Sequence, residues 1–357
     1  ILWVILQLLC GVLNPAACGF LFAALCGMCM SDDEMIFTRN RAGWTVGVLI
    51  VFCIFGRVVS EEEILAVSQF RESVQEEIHK IRYGEDTLPE GNLYQASELK
   101  ADAKEMLSLK TEQQKTLYLR GFVGSVYEAG VWEEPADAVY GGKNAGILKW
   151  LEKNSFDPLC QISAYYAHSD EEKNPDKNEI QIRVTGASRY YVYTPATVED
   201  IKKGKLTEDK DIRFCNKGFL AARNYTIEET SGTRPAELMV TDLWVSTPES
   251  AEQKQYSETE SVYRAFVYDT YRDVDPETRD LLQQMFWDDY ESDSDGIYSS
   301  ICRIRDVLKE NVEYTENIEE VPDGEDPVRY FLTGSQRGNA MLYASAAVDA
   351  LRGHGIP

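Results

Sequence analysis

The chain has 357 residues, enough for two or three domains, and sets 60 acidic against 36 basic side chains for a formal charge of −24. All of that charge lies in residues 60–357, because Asp32, Asp33 and Glu34 balance Arg39, Arg41 and Arg57 within residues 1–59. A body this acidic repels phosphate backbones, so no nucleic-acid partner is expected.

Residues 1–59 read as transmembrane helices. A span needs about twenty apolar residues, fewer where the flanks snorkel. Residues 44–59 fit one short span with Trp44 at an interface. Residues 1–30 fit a pair of short spans or one long broken one, and the Asn14-Pro15 turn signal favours the pair. A signal peptide would carry a basic leading region, which this stretch lacks. Arg39 and Arg41 stand before the last span, with Arg57 alone after it, and positive flanks stay cytoplasmic. Residues 60–357 are therefore expected outside the cytoplasm, with the lipid bilayer as a partner through residues 1–59.

Of eight cysteines, Cys10, Cys18, Cys26, Cys29 and Cys53 fall in the apolar region, where Cys packs as a small hydrophobe. Cys26 and Cys29 form a C-x-x-C, which reads either as helix packing in a membrane or as a redox pair. Cys160, Cys215 and Cys302 are too widely spaced for a disulfide framework and form no zinc pattern. His79 and His168 stand alone, and the acidic run 288–296 lacks the terminal glutamate of a calcium loop. No metal or cofactor is expected.

Residues 60–116 read as a helical stalk and linker. Ser60 and Glu63 form a capping box, and Ile64, Val67, Phe70, Val74 and Ile78 recur at helical spacing over 61–82. A second polar helix is expected at 96–109. Residues 117–250 read as an antiparallel β domain. "TLYLRGFVGSVYEAGVWEE" has hairpin chemistry. Ile180, Ile182 and Val184 alternate, Gly186 turns the chain, and Tyr190 to Tyr193 run on to Pro195 as the return strand. Further strands are expected in "GFLAARNYTIEE" and "AELMVTDLWVST", with residues 138–156 as an inserted helix. After an acidic linker, "TPESAEQKQYSETES", residues 258–357 turn helical, with Pro276 opening one helix.

In the last helix Met341, Ala344, Val348 and Leu351 mark a buried face, and the small Ala346, Ala347 and Ala350 are the other inward positions and allow close approach. Gly338-Asn339 forms the entrance with Asn339 as cap, and Gly353 and Gly355 end it. "Gly338-Asn339-Ala340-Met341-Leu342-Tyr343-Ala344" resembles the G-x-C-x-x-[FY]-A turn of the transglutaminase-like family, a branch of the papain-like cysteine superfamily. "DPVRYFLTGSQRGN" resembles that family's approach to the nucleophile helix. "LRGHGIP" resembles the run that follows the helix, and residues 117–133 resemble the β region of bacterial membrane-bound members.

The resemblance implies an α+β transglutaminase-like domain over 258–357, incomplete at its C-terminus, in a multi-domain chain. It implies a nucleophile at the helix N-terminus, where positive potential lowers a thiol pKa and stabilises an oxyanion. Here Ala340 stands at the family's cysteine, while Gly338, Asn339 and Met341 keep the turn and the helix entrance. The family's histidine and aspartate would come on strands beyond Pro357, since Ile1 and Pro357 both read as cuts in a longer protein. His354 matches no catalytic position and reads as a surface or capping residue; Cys302 reads as core.

Two functions follow from these residues. One is an inactive fold retained as a cell-envelope binding or assembly module, with envelope proteins or peptides as partners. The other is a cysteine transamidase or peptidase acting on amide bonds, its nucleophile removed at Ala340. Topology is open to direct measurement. An impermeant thiol reagent or external protease acting on intact cells should reach the region near residue 280; protection there would reverse the assigned orientation.

Overall fold

The computed structural model describes residues 73–84, 90–99, 104–169, 177–202, 206–216, 221–230, 247–288 and 296–357. The chain divides into two compact units, Ile1–Gly84 and Glu85–Pro357. The expected spans in 1–59, the capping box at Ser60, the strand in "AELMVTDLWVST" and most of the acidic run 288–296 lie outside the described residues. No helix among the described residues is long and apolar enough to cross a membrane. In the first unit residues 73–83 are helical, in line with the stalk helix read from the sequence.

The second unit is α+β. Its main sheet is antiparallel, in the order β1 (Leu107–Thr111), β5 (Lys177–Val184), β10 (Asn224–Thr230), β7 (Val198–Lys202). Along β5 burial alternates strictly, with Asn178, Ile180, Ile182 and Val184 inward, as a half-buried strand requires. Leu107, Leu109 and Thr111 stand opposite Val184, Ile182 and Ile180. At one end the buried Glu229 carboxylate accepts from Asn178 at 2.7 Å and Thr197 at 2.8 Å and pairs with Lys115 at 2.7 Å.

Two expectations fail here. Of the described residues in 96–109, the first belong to a short 3-10 turn, Leu93–Glu98, in place of the expected helix, and the stretch ends in strand β1. The polar composition suggested a solvated helix, but Leu107 packs on the core beside β5. Nor do Tyr190 to Tyr193 pair with β5. Gly186 is held against Met106, whose carbonyl accepts from the amides of Thr185, Gly186 and Ala187 at 3.1–3.2 Å. The chain then sends Tyr191 and Tyr193 into the core as irregular backbone. Tyr193 donates to Ser188 O at 2.9 Å. Tyr191 makes a single antiparallel bridge with Cys215, and Thr194–Pro195 (β6) pairs with Leu119–Arg120 (β2).

The hairpin read in residues 117–133 is present as β3 (Val126–Glu128) and β4 (Val131–Glu133). Ala129 (φ 49°) and Gly130 (φ 83°) make the left-handed two-residue turn that fits strand twist. A further hairpin joins β8 (Leu206–Asp209) and β9 (Arg213–Asn216). The helix expected over 138–156 is shorter: α1 is Ile147–Lys153, preceded by the 3-10 turns Asp137–Tyr140 and Gly142–Asn144, and α2 (Gln161–Ser169) follows.

The acidic stretch read as a linker is helical. The third helix, α3, runs Ala251–Thr270. Ser250 Oγ accepts from Gln253 N at 3.1 Å, and the Gln253 side chain accepts from Ser250 N at 3.3 Å, closing a capping box. Thr259, Tyr263 and Phe266 supply a sparse buried stripe that the polar residues around it obscure in composition. Tyr263, Phe266 and Tyr271 pack with Leu151 and Phe156.

Beside them the Asp211 carboxylate accepts from three phenols: Tyr140 at 2.6 Å, Tyr263 at 3.0 Å and Tyr271 at 3.2 Å. This one side chain ties the β8–β9 turn to α3 and to the 3-10 turn Asp137–Tyr140. Replacing Asp211 with leucine strands the buried Tyr263 hydroxyl and leaves those of Tyr140 and Tyr271 only each other, and should cost about 2–4 kcal/mol in urea denaturation, whereas Asp211→Asn should lose less.

Candidate functional site

The C-terminal core is built from α4 (Pro276–Leu282), α5 (Ile297–Asn311) and α6 (Ala340–Gly353). Phe286, Phe331, Leu332 and Val328 are fully buried at its centre. The approach to α6 starts at Asp326. Its carboxylate accepts from Val328 N and Arg329 N at 3.0 Å each, and Pro327 opens the short turn Pro327–Arg329. A wide helical turn, Tyr330–Ser335, follows and ends at Gln336, which adopts a left-handed backbone (φ 51°). Arg337–Gly338 (β12) then pairs in parallel with Glu313–Tyr314 (β11). Glu313 N donates to Gln336 O at 2.8 Å and Thr315 N to Gly338 O at 2.9 Å. This small ladder delivers the chain to the helix entrance.

At that entrance the four residues singled out from the sequence occupy one turn. Gly338 is buried against the Phe331 ring, and a Cβ there would lie 2.5 Å from it, so no larger residue fits. Asn339 is the cap. Its Oδ1 accepts from Leu342 N at 3.4 Å, and its Nδ2 donates to Ala96 O at 3.0 Å. Ala340 opens the helix and is exposed. Met341 is half-buried and packs on the core. Tyr343 closes the turn from the side, donating to Val312 O at 2.8 Å and contacting the rings of Phe331 and Tyr314.

The buried face of α6 agrees only in part with the one read in the sequence: Ala346 and Ala350 are buried as expected, together with Leu342, Ser345, Asp349 and Arg352, while Ala344 is exposed and Met341, Ala347, Val348 and Leu351 are only half-buried. The hydrophobic pattern pointed about one residue away because the true face is made of small and polar side chains. Those polar residues meet the β3–β4 hairpin. Trp132 Nε1 donates to Ser345 Oγ at 2.8 Å, Arg352 donates to Ser125 O at 2.8 Å, and its guanidinium lies 5.0 Å from the Trp132 ring centre. Tyr127 OH donates to Asp326 Oδ2 at 2.7 Å.

Sequence reasoning missed this seam. Its signal was Ser345, Asp349 and Arg352, spaced four and three apart in an otherwise alanine-rich helix. Burial holds the Tyr127 phenol well above its ordinary range, with the Asp326 charge adding to it.

The remaining candidates fall elsewhere. His354 caps the end of α6 and its ring stacks on Trp287 at 3.9 Å and 13°, so an aromatic partner occupies it. Cys302, read as core, is half-buried on α5 one turn from Tyr298. The apolar neighbours cited for it part company: Ile304 is buried, but Ile301 is exposed. Among the described residues no group of three His, Cys, Asp or Glu side chains could hold a metal ion.

An exposed position at the first turn of a buried helix, reached through a glycine that admits no side chain, is where a nucleophile gains from the helix N-terminus. Residues 286–357 match the family model of the Transglutaminase-like superfamily. This stretch is transglutaminase-like. Among solved structures, the periplasmic domain of TgpA from Pseudomonas aeruginosa is 14% identical over 75% of each chain, with a TM-score of 0.42. The same domain bound to ethylmercury is 13% identical over 76% of this chain and 78% of that one, with a TM-score of 0.43. No curated protein matches the chain.

The turn makes two demands that denaturation can measure. Gly338→Ala should cost about 1–3 kcal/mol by forcing the Phe331 ring aside. Asn339→Ala should cost about 1–2 kcal/mol through the lost cap.

Proposed function

We propose that this chain is a membrane-anchored protein that presents a catalytically inactive transglutaminase-like domain outside the cytoplasm, as a binding or assembly module for cell-envelope proteins or peptides. The observation that carries this reading is Ala340. It occupies the exposed first position of α6, where the resemblance puts a cysteine, and a methyl group neither ionises nor attacks a carbonyl. The anchor rests on the apolar runs of residues 1–59, and the orientation rests on Arg39 and Arg41. The acidic body, which stays solvated, fits a role outside the lipid.

A second reading draws on the state of the turn itself. Gly338 still lies against Phe331 and Asn339 still caps the helix, so the frame that would hold a nucleophile is intact. On that reading the chain derives from a cysteine transamidase or peptidase whose nucleophile has been removed. A thiolate at position 340 would attack an amide carbon, and the resulting oxyanion would be held at the helix N-terminus. The amine would then leave, and an amine or water would release the acyl group from the thioester.

Assaying the protein with an amide donor and a primary amine separates the two. The chain with Ala340 should give no turnover, and thiol-dependent turnover from it would end the first reading. Thiol-dependent activity that appears only in Ala340→Cys would favour the second. A folded but inert Ala340→Cys protein would favour the binding module.

A further inference from the structure

Asp349 has no exposed surface, and neither of its oxygens has a hydrogen-bond partner among the described residues. An ionised carboxylate in that position is costly, because burial strips its hydration and nothing replaces it. The charged and titratable groups that act on it come from four places. Arg352 follows three residues later on α6 and turns its guanidinium to Ser125 O and the Trp132 ring. Asp326, at the start of the Pro327–Arg329 turn, brings a second negative charge. Tyr127 of the hairpin donates to Asp326 and senses Asp349 as well. Tyr271 and Asp273, after α3, act on Arg352. Burial outweighs Arg352 and is reinforced by Asp326, and together they push the Asp349 carboxyl up to about 7.

The hairpin, which meets Ser345 four residues before this carboxyl and Arg352 three after it, is also tied to the helix entrance. Leu93 N donates to Gly130 O at 2.9 Å, and Trp132 N donates to Gly91 O at 2.8 Å. The turn Leu93–Glu98, which the hairpin thereby holds, offers Ala96 O to the cap residue Asn339 at 3.0 Å. Asp349 and the Ala340 turn are thus joined through one run of packed backbone.

We propose that Asp349 is a proton-operated latch on the β3–β4 hairpin: neutral, it lets the hairpin lie on α6; ionised, it drives the hairpin off that face and loosens the cap at the Ala340 turn. The latch holds whatever the turn binds. Its sign follows from linkage. The docked carboxyl binds its proton more tightly than a free one, so the docked state is fully favoured below the free carboxyl value near 3.8. That advantage is lost as pH rises through about 7.

Hydrogen exchange on the full chain between pH 5 and 8, corrected for intrinsic rates, tests this. Opening of amides 125–133 and 339–343 should rise roughly tenfold per pH unit below 7 and level off above it. Asp349→Asn should remove that dependence and keep the hairpin protected throughout. If the asparagine variant does not fold, Asp349→Leu makes the same test with an apolar side chain. Equal pH dependence in the wild type and the neutral variant would overturn the proposal. So would a loss of protection spread evenly over the whole unit rather than confined to the hairpin and the cap.

Discussion

The second unit depends on how closely other elements can approach one side of α6. That side carries Ser345, Ala346 and Ala350, small enough for the Trp132 side chain of the β3–β4 hairpin and the core beside it to pack against the helix. Close packing of this kind supports stability only if every polar group admitted to it is accounted for. Ser345 is answered by Trp132, and Arg352 is answered in part by Ser125. Asp349 is not answered, and the cost is borne by its proton. The same approach brings Ala96 to Asn339, so the cap of the helix is shared between residues 243 positions apart. The position of the Ala340 turn is therefore a property of the tertiary structure and not of the local sequence alone.

How much of this the sequence disclosed follows from where each element draws its stability. Strand β5 was legible because one face meets a core and the other meets water, so the alternation of Ile180, Ile182 and Val184 is written directly in residue type. The turn at Gly338-Asn339 was legible because steric exclusion by Phe331 and capping each demand a particular kind of side chain. Helix α3 was obscured because a stripe of Thr259, Tyr263 and Phe266 buries it while its remaining surface is charged, so average composition imitates a linker. Tyr190 to Tyr193 misled in the opposite way. They are as apolar and aromatic as a strand, yet their polar groups are satisfied by Ser188, Tyr225 and Asn216, which no local pattern announces.

The candidate site divides along the same line. Its backbone frame was readable, since Gly338, Asn339, Ala340 and Met341 fall together as expected. Its supporting seam was not, because Tyr127 and Trp132 come from a hairpin some two hundred residues upstream of α6. The family match over residues 286–357 agrees with this division: it spans the frame and leaves the hairpin outside.

The three phenols around Asp211 carry a consequence at the other end of the pH scale. Burial raises the Tyr140, Tyr263 and Tyr271 hydroxyls above their ordinary range, with the Asp211 charge adding in each case. Below about pH 10 they are neutral whether the chain is folded or open, so the cluster contributes its full stability there. Above that, the open chain releases protons that the folded one retains. Alkaline unfolding would therefore release as many as three protons in one step. Phenolate absorbance from these rings would emerge together with the loss of structure, making the cluster a built-in optical reporter of the unit's integrity.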